Sequence, residues 1–202
     1  MPAYSELILQ LEYDGIIQSP TIKQAFEIIE RQHFIPDHVM DQAGKDIPIP
    51  IGFHQTNSQP RTVAMMLGWL DLADGHVILD IGSGSGWTTA LMATIVGPNG
   101  RVDGIERIPE LVHFGQSNLS KYKTLNATIT QATSQLGNPN QTYDRILVSA
   151  AAERLPEELL HQLAPNGILV IPIKNTIHKL KKYSNMTIQQ ETFPGFRFVP
   201  LC

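Results

Sequence analysis

Gly82, Gly84 and Gly86 stand directly after the apolar run Val77-Ile78-Leu79-Asp80-Ile81 and directly before a helix-like segment that opens at Trp87. Glycines at the carboxyl end of a buried strand let the backbone come close to a ligand. The spacing is G-x-G-x-G, with Ser83 and Ser85 between the glycines. The dinucleotide fingerprint needs its third glycine one place later, where Trp87 stands, which argues against NAD and FAD. Asp80, before the turn, and Glu106, at the end of the next apolar run, are carboxylates suited to an ammonium group and to ribose hydroxyls. Together these groups describe a site for S-adenosyl-L-methionine. A ligand-free strand–helix turn accounts for the glycines alone and leaves Glu106 unexplained.

A second stretch with chemical potential runs from Pro48 to Pro60, with Gln55, Thr56 and Ser58 at its end. Ser58 and Pro60 read equally as a helix entry, Ser58 being the N-cap, and as part of a binding site. The two readings are compatible, because a helix N-terminus facing a cleft offers free N–H groups to a carboxylate. Pro36, Gly44, Pro48, Pro50 and Gly52 forbid long regular elements over 34–60, so an ordered loop is expected there, and such loops are usually functional.

The elements around these stretches follow from periodicity. Leu7, Ile8 and Leu11 mark one helix; Ile22, Ala25, Phe26, Ile28 and Ile29 mark another that opens at Ser19-Pro20. Val63, Ala64, Met66, Leu67 and Leu70 share one face of a third. Strands are expected at His76–Ile81, Arg101–Glu106, Ala127–Gln131, Asp144–Ala150 and Gly167–Ile173, separated by a helix with Ala90, Leu91 and Ala93, another from Pro109, and a third at Pro156–Leu163. The tail reads as antiparallel strands at Lys179–Tyr183, Met186–Glu191 and Phe196–Val199. The predicted fold is α/β and Rossmann-like: a mostly parallel open sheet flanked by helices, with an N-terminal helical extension and antiparallel C-terminal strands.

Length and composition set the outer bounds. At 202 residues one domain is expected, with 1–59 supplying N-terminal helices and the loop, 60–173 the cofactor-binding core and 174–202 the C-terminal strands. A net charge of −4 leaves no footprint for a nucleic-acid backbone, and Lys179, Lys181 and Lys182 read as a solvated strand edge. The single cysteine, Cys202, excludes an internal disulfide and a cysteine metal cluster, and the seven histidines show no metal-ligand spacing, so no metal is expected. Glu6, Glu12 and Asp14 interrupt the N-terminal apolar runs, and no run approaches the ~18 residues of a membrane span. A cytoplasmic protein without membrane contact is the expectation.

Separated segments in one order make the sequence similar to a known family. Arg31-Gln32-His33-Phe34-Ile35-Pro36, Asp46 to Gly52, Gln55-Thr56-Asn57-Ser58-Gln59-Pro60, Asp80 to Trp87, Gly104-Ile105-Glu106-Arg107, Tyr143 to Ala150 and Phe198-Val199-Pro200-Leu201 resemble the corresponding motifs of the protein-L-isoaspartate O-methyltransferases. The resemblance implies transfer of the sulfonium methyl of S-adenosyl-L-methionine to the free carboxylate of L-isoaspartyl residues in damaged peptides or proteins. The ester then collapses to a succinimide without the enzyme, which is a repair reaction. By motif position, Ser58 inherits the catalytic serine. Gln55, Thr56 and Ser58, with His54 in the same loop, inherit contacts to the acceptor. Asp80, Gly82, Ser83, Gly84, Gly86, Glu106 and Arg107 inherit cofactor binding.

The sequence also departs from that pattern. Where the family places Gly-Asp-Gly against the adenine amine, this chain has Ala132-Thr133-Ser134, so Thr133 is the expected substitute contact. Gly44 replaces a tyrosine, Asn57 an isoleucine and His54 a glycine around the acceptor site. These changes keep two further readings open: a carboxyl methyltransferase with another acceptor, and a catalytically silent cofactor-binding or interaction domain. A monomer acting on isoaspartyl peptides is the leading expectation.

Overall fold

The computed structural model describes residues 3–201; Cys202 lies outside them. Two helices open the chain, α1 (Tyr4–Tyr13) and α2 (Pro20–Ile28), the latter starting on proline because its missing N–H and fixed φ suit a first helical position. Leu7, Ile8, Leu11, Ile22, Ala25 and Phe26 form their buried stripes. Two short 3-10 turns, Arg31–Phe34 and Asp37–Gln42, lead to a hairpin of β1 (Ile49–Gly52) and β2 (Gln55–Asn57). The segment expected to be loop is thus partly regular. Ile49 and Ile51 alternate inward, and Pro50 is tolerated because a two-stranded ribbon consists of edges only.

Helix α3 (Pro60–Leu70) starts on Pro60, and its N-cap is Gln59, not Ser58. Ser58 is still in the extended exit from the hairpin, its carbonyl held by the Arg31 guanidinium at 3.0 Å. The remaining elements are β3 (Val77–Ile81), α4 (Trp87–Val96), β4 (Arg101–Glu106), α5 (Pro109–Leu119), β5 (Ala127–Gln131), β6 (Tyr143–Val148), α6 (Glu157–Gln162), β7 (Leu163–Ile173), β8 (Thr176–Lys182) and β9 (Ile188–Pro194).

The seven strands from β3 onward form one sheet in the order β5-β4-β3-β6-β7-β8-β9, parallel from β5 to β7 and antiparallel beyond. Alternate residues of β3 serve opposite faces: Ile78 joins the core beneath the N-terminal helices and α4, and Leu79 and Ile81 join the core beneath α6. The chain winds outward from β3 to β5 and returns to β6 on the other side of β3. That reversal opens a crevice at the carboxyl ends of the strands, where open α/β sheets bind ligands.

The tail differs from expectation in one element. Residues 196–199 are not a strand: Gly195 turns the chain at φ +96°, and the N–H groups of Gly195 and Phe196 both donate to the Asn175 carbonyl. Phe196 then packs edge-on to Trp69, which also stacks on Phe193 at 3.9 Å between ring centres. Beyond it the chain crosses the end of β6, with the Ala151 N–H donating to Val199 and the Leu201 N–H to Ala151.

Candidate active site

A cleft of about 330 Å³ lies at the crevice. One wall is the glycine turn, the second is β2 and its exit, the third is the segment after β5, and Val199, Pro200 and Leu201 close the rim.

The turn is tied to the end of β4. The N–H groups of Gly82 and Ser83 donate to the Ile105 carbonyl, and the Gly84 N–H donates to Glu106 Oε2 at 2.9 Å. Glu106 Oε1 accepts from the Ile108 N–H, also at 2.9 Å, so the carboxylate is oriented at both oxygens while its residue lines the cleft. Each carboxylate oxygen has a second lone pair, so a ribose diol can add its hydrogen bonds to those already present. Gly82 and Gly84, at φ +76° and +53°, face the cleft. Gly86 does not: a Cβ there would lie 3.0 Å from Ile129 Cδ1 and 3.2 Å from the Gly115 carbonyl, so this glycine serves the packing of α4 against α5 and β5.

Ser83 Oγ is buried in the cleft wall with no partner among the described residues. A polar atom left so is costly unless a ligand supplies the bond. Together with Glu106 and the open turn, it makes a donor and acceptor set that fits S-adenosyl-L-methionine.

Asp80 lies elsewhere. It is fully buried behind the turn, outside the cleft lining, and accepts a 2.6 Å bond from Thr89 Oγ1. Burial, aided by the nearby Glu106, pushes its carboxyl up to about 7. Asp80 is therefore tied to α4 through Thr89 and is not among the residues that line the cleft.

On the third wall, Ala132, Thr133 and Ser134 line the cleft. The Thr133 hydroxyl is engaged within its own turn, accepting from the Gln135 N–H and donating to the Gln135 carbonyl. Leu136 and Gly137, which sequence reasoning missed, line the same wall. Arg107 is exposed at the rim.

Gln55, Thr56 and Ser58, expected on the acceptor side, all line the cleft opposite the glycine turn. Their strand is anchored by Arg31, a wholly buried cation. Its Nε donates to Asn57 Oδ1 at 2.8 Å, Nη1 to the Lys45 carbonyl at 2.8 Å, and Nη2 to the carbonyls of Ile47 and Ser58 at 2.8 and 3.0 Å. The guanidinium also lies 5.2 Å from the centre of the Trp87 rings, a cation–π contact. Burial drives its pKa down to about 10, still far above neutrality, so the group remains charged.

His54 sits apart from the lining, exposed at the hairpin tip. Phe53 and His54 have φ of +52° and +58°, the sign a two-residue hairpin turn demands and side chains resist. A glycine relieves that strain, so His54→Gly is expected to raise stability by about 1 kcal/mol, or ~2–4 °C in Tm. A calorimetric Tm at or below the parent's would contradict this.

Ser149 and Ala150, at the end of β6, and Ile51 and Thr88 complete the walls without having been expected there. The signal for Ser149 and Ala150 was available, since residues just past a parallel strand at the switch point face the ligand crevice.

Comparison with known proteins gives one consistent result. The model of the family Protein-L-isoaspartate(D-aspartate) O-methyltransferase matches residues 3–202. The chain is 38% identical to the protein-L-isoaspartate O-methyltransferase of Methanopyrus kandleri over 205 residues, covering 98% of this chain and 91% of the relative. It is 39% identical to that of Fervidobacterium nodosum, covering 96% and 99% respectively. Among solved structures, a Plasmodium falciparum protein described as a protein-L-isoaspartate O-methyltransferase, crystallised with S-adenosyl-L-homocysteine, superposes with a TM-score of 0.89 at 28% identity, covering 100% of this chain and 99% of that one.

Proposed function

Because the chain belongs to the protein-L-isoaspartate(D-aspartate) O-methyltransferase family, we propose that its cleft holds cofactor against the glycine turn and the isoaspartyl carboxylate against Gln55, Thr56 and Ser58. The protein is an S-adenosyl-L-methionine-dependent methyltransferase acting on L-isoaspartyl residues, a repair enzyme. The observation that carries the assignment of roles is that one cleft has the turn and Glu106 on one side and the Gln55–Ser58 segment on the other.

The bound cofactor supplies an electrophilic sulfonium methyl group. An isoaspartyl carboxylate has a pKa near ~4 and is ionised at neutral pH, so no protein group needs to remove a proton. The chain's contribution is alignment of the carboxylate oxygen with the methyl carbon and exclusion of water. Such positioning is worth up to about 7–11 kcal/mol in favourable cases. Ser58 Oγ–H acts as an orienting donor to one carboxylate oxygen, leaving the other to attack. Ile51, Ile81 and Val199 supply apolar wall to the cleft, which helps to exclude water. Thr133 and Ser134 take the adenine side without the family's acid.

Transfer of labelled methyl to an isoaspartyl peptide, with the matching aspartyl peptide and small carboxylates as controls, tests the reading. Base-labile label on the isoaspartyl peptide alone is the expected result; label on another acceptor would reassign the substrate. In the same assay Ser58→Ala should lower kcat by about 10-fold, the loss of one hydrogen bond to a charged group, with Tm unchanged. An unchanged kcat in the folded variant would remove Ser58 from the mechanism.

The working unit in this reading is a cytoplasmic monomer formed by the whole chain. Among the described residues no helix is long and apolar enough to cross a membrane.

A further inference from the structure

The two halves of the cleft are joined by a closed ring of hydrogen bonds that runs from the lining residues Asn57 and Ser85 to residues behind them. Arg31 Nε donates to Asn57 Oδ1 at 2.8 Å, and Asn57 Nδ2 donates to Ser85 Oγ at 3.2 Å. Asn118 Nδ2 on α5 donates to the Ser85 carbonyl at 3.0 Å. Lys121 Nζ donates to Asn118 Oδ1 at 3.1 Å and to the His33 carbonyl at 2.9 Å, and His33 shares the 3-10 turn of Arg31. Arg31, Asn57, Ser85 and Asn118 are each at most 3% exposed. The orientation of the Asn57 amide follows from chemistry: a guanidinium only donates, so the oxygen faces Arg31 and the nitrogen must face Ser85. Ser85 Oγ, having accepted that bond, keeps its own proton for the cleft it lines.

Asn57 is the link between the acceptor strand and the cofactor turn. It lies between Thr56 and Ser58 and bonds to Arg31 with its amide oxygen and to Ser85 with its amide nitrogen. We propose that Asn57 is a positioning residue of this enzyme: through Arg31 on one side and Ser85 on the other, it locks the Ser58 segment to the glycine turn at the spacing the methyl transfer needs. The proposal rests on the assignment of Ser58 to the acceptor side. Two buried bonds of about 1 kcal/mol each hold the spacing, so their loss frees the segment by roughly 10- to 30-fold in an opening equilibrium.

The test uses three variants. Asn57→Leu keeps the shape and removes both bonds. Asn57→Asp accepts from Arg31 with one oxygen and from the Ser85 hydroxyl with the other, restoring both with one donor reversed. Ser85→Ala removes only the link to the turn. Each is assayed for kcat, for the KM of S-adenosyl-L-methionine, and for amide hydrogen exchange over residues 53–58 with S-adenosyl-L-homocysteine present. Expected for Asn57→Leu are at least about tenfold faster exchange in that segment and about tenfold lower kcat, with KM within threefold of the parent; Ser85→Ala, which loses one of the two bonds, gives about fivefold faster exchange; Asn57→Asp returns exchange and kcat to within threefold of the parent. Parental exchange and kcat in Asn57→Leu, or an aspartate variant as impaired as the leucine one, would overturn the proposal. If the leucine variant does not fold, Ser85→Ala decides: parental exchange in the segment overturns it. A parent that labels no isoaspartyl peptide would count against the acceptor assignment alone, since the exchange measurement still decides on Asn57.

Discussion

Glu106→Gln is expected to weaken S-adenosyl-L-homocysteine binding by about 10²–10⁴-fold in a calorimetric titration. The carboxylate accepts from the N–H of Gly84 at one oxygen and of Ile108 at the other. An amide replaces one of those oxygens with a second donor, so either Gly84 or Ile108 faces an N–H group and must move. On the proposed cofactor placement, the turn is then displaced at the same time as the ribose loses its charged acceptor. Two hydrogen bonds to a charged group, at roughly 1.5–3 kcal/mol each, give about 3–6 kcal/mol, which converts to that range of affinity. Affinity within tenfold of the parent would show that Glu106 only shapes the turn.

Arg31→Met should cost about 3–5 kcal/mol of stability and, at ~2–4 °C per kcal/mol for a chain of this size, lower Tm by roughly 6–20 °C. The methionine fills a similar length and leaves Asn57 Oδ1 and the carbonyls of Lys45, Ile47 and Ser58 without their donor. Removing a buried cation recovers some desolvation energy, the same energy that depresses its pKa, so the net loss is smaller than the lost bonds would sum to. Arg31→Lys keeps the charge but not the fork, and an ammonium cannot reach acceptors spread over residues 45–58, so it should recover less than half of the loss. Activity of the methionine variant is expected to fall further than stability does at assay temperature, because the freed segment carries Ser58. Chemical denaturation at constant m-value separates the two effects; a loss under 1 kcal/mol would mean that water replaces the guanidinium.

The sequence alone determined the parallel sheet, the place of the glycine turn and the partnership of that turn with Glu106. These rest on local signals. Strands buried on both faces read as continuous apolar runs, glycines past such a strand mark a close approach, and proline at a helix start fixes the entry of α2, α3 and α5. The motif resemblance singled out Gln55, Thr56 and Ser58, and these residues line the cleft opposite the turn.

What only the tertiary structure decided concerns direction and partnership. A strand residue's face depends on the register of the whole sheet, so it took the fold to turn Asp80 inward to Thr89, beneath the turn instead of into the cleft. His54 belongs to the acceptor loop by position in the chain, yet the hairpin turn carries it out to the tip. Ser58 resembles an N-cap in sequence, but Arg31 holds its carbonyl in the hairpin and leaves the cap to Gln59. Phe196–Val199 has the alternation of a strand, but Gly195 turns it away from β8 and it ends as the rim of the cleft. The ring through Arg31, Asn57, Ser85, Asn118 and Lys121 joins residues up to 90 positions apart in the chain, and no local pattern encodes it because its bonds form only when four separate segments have packed together.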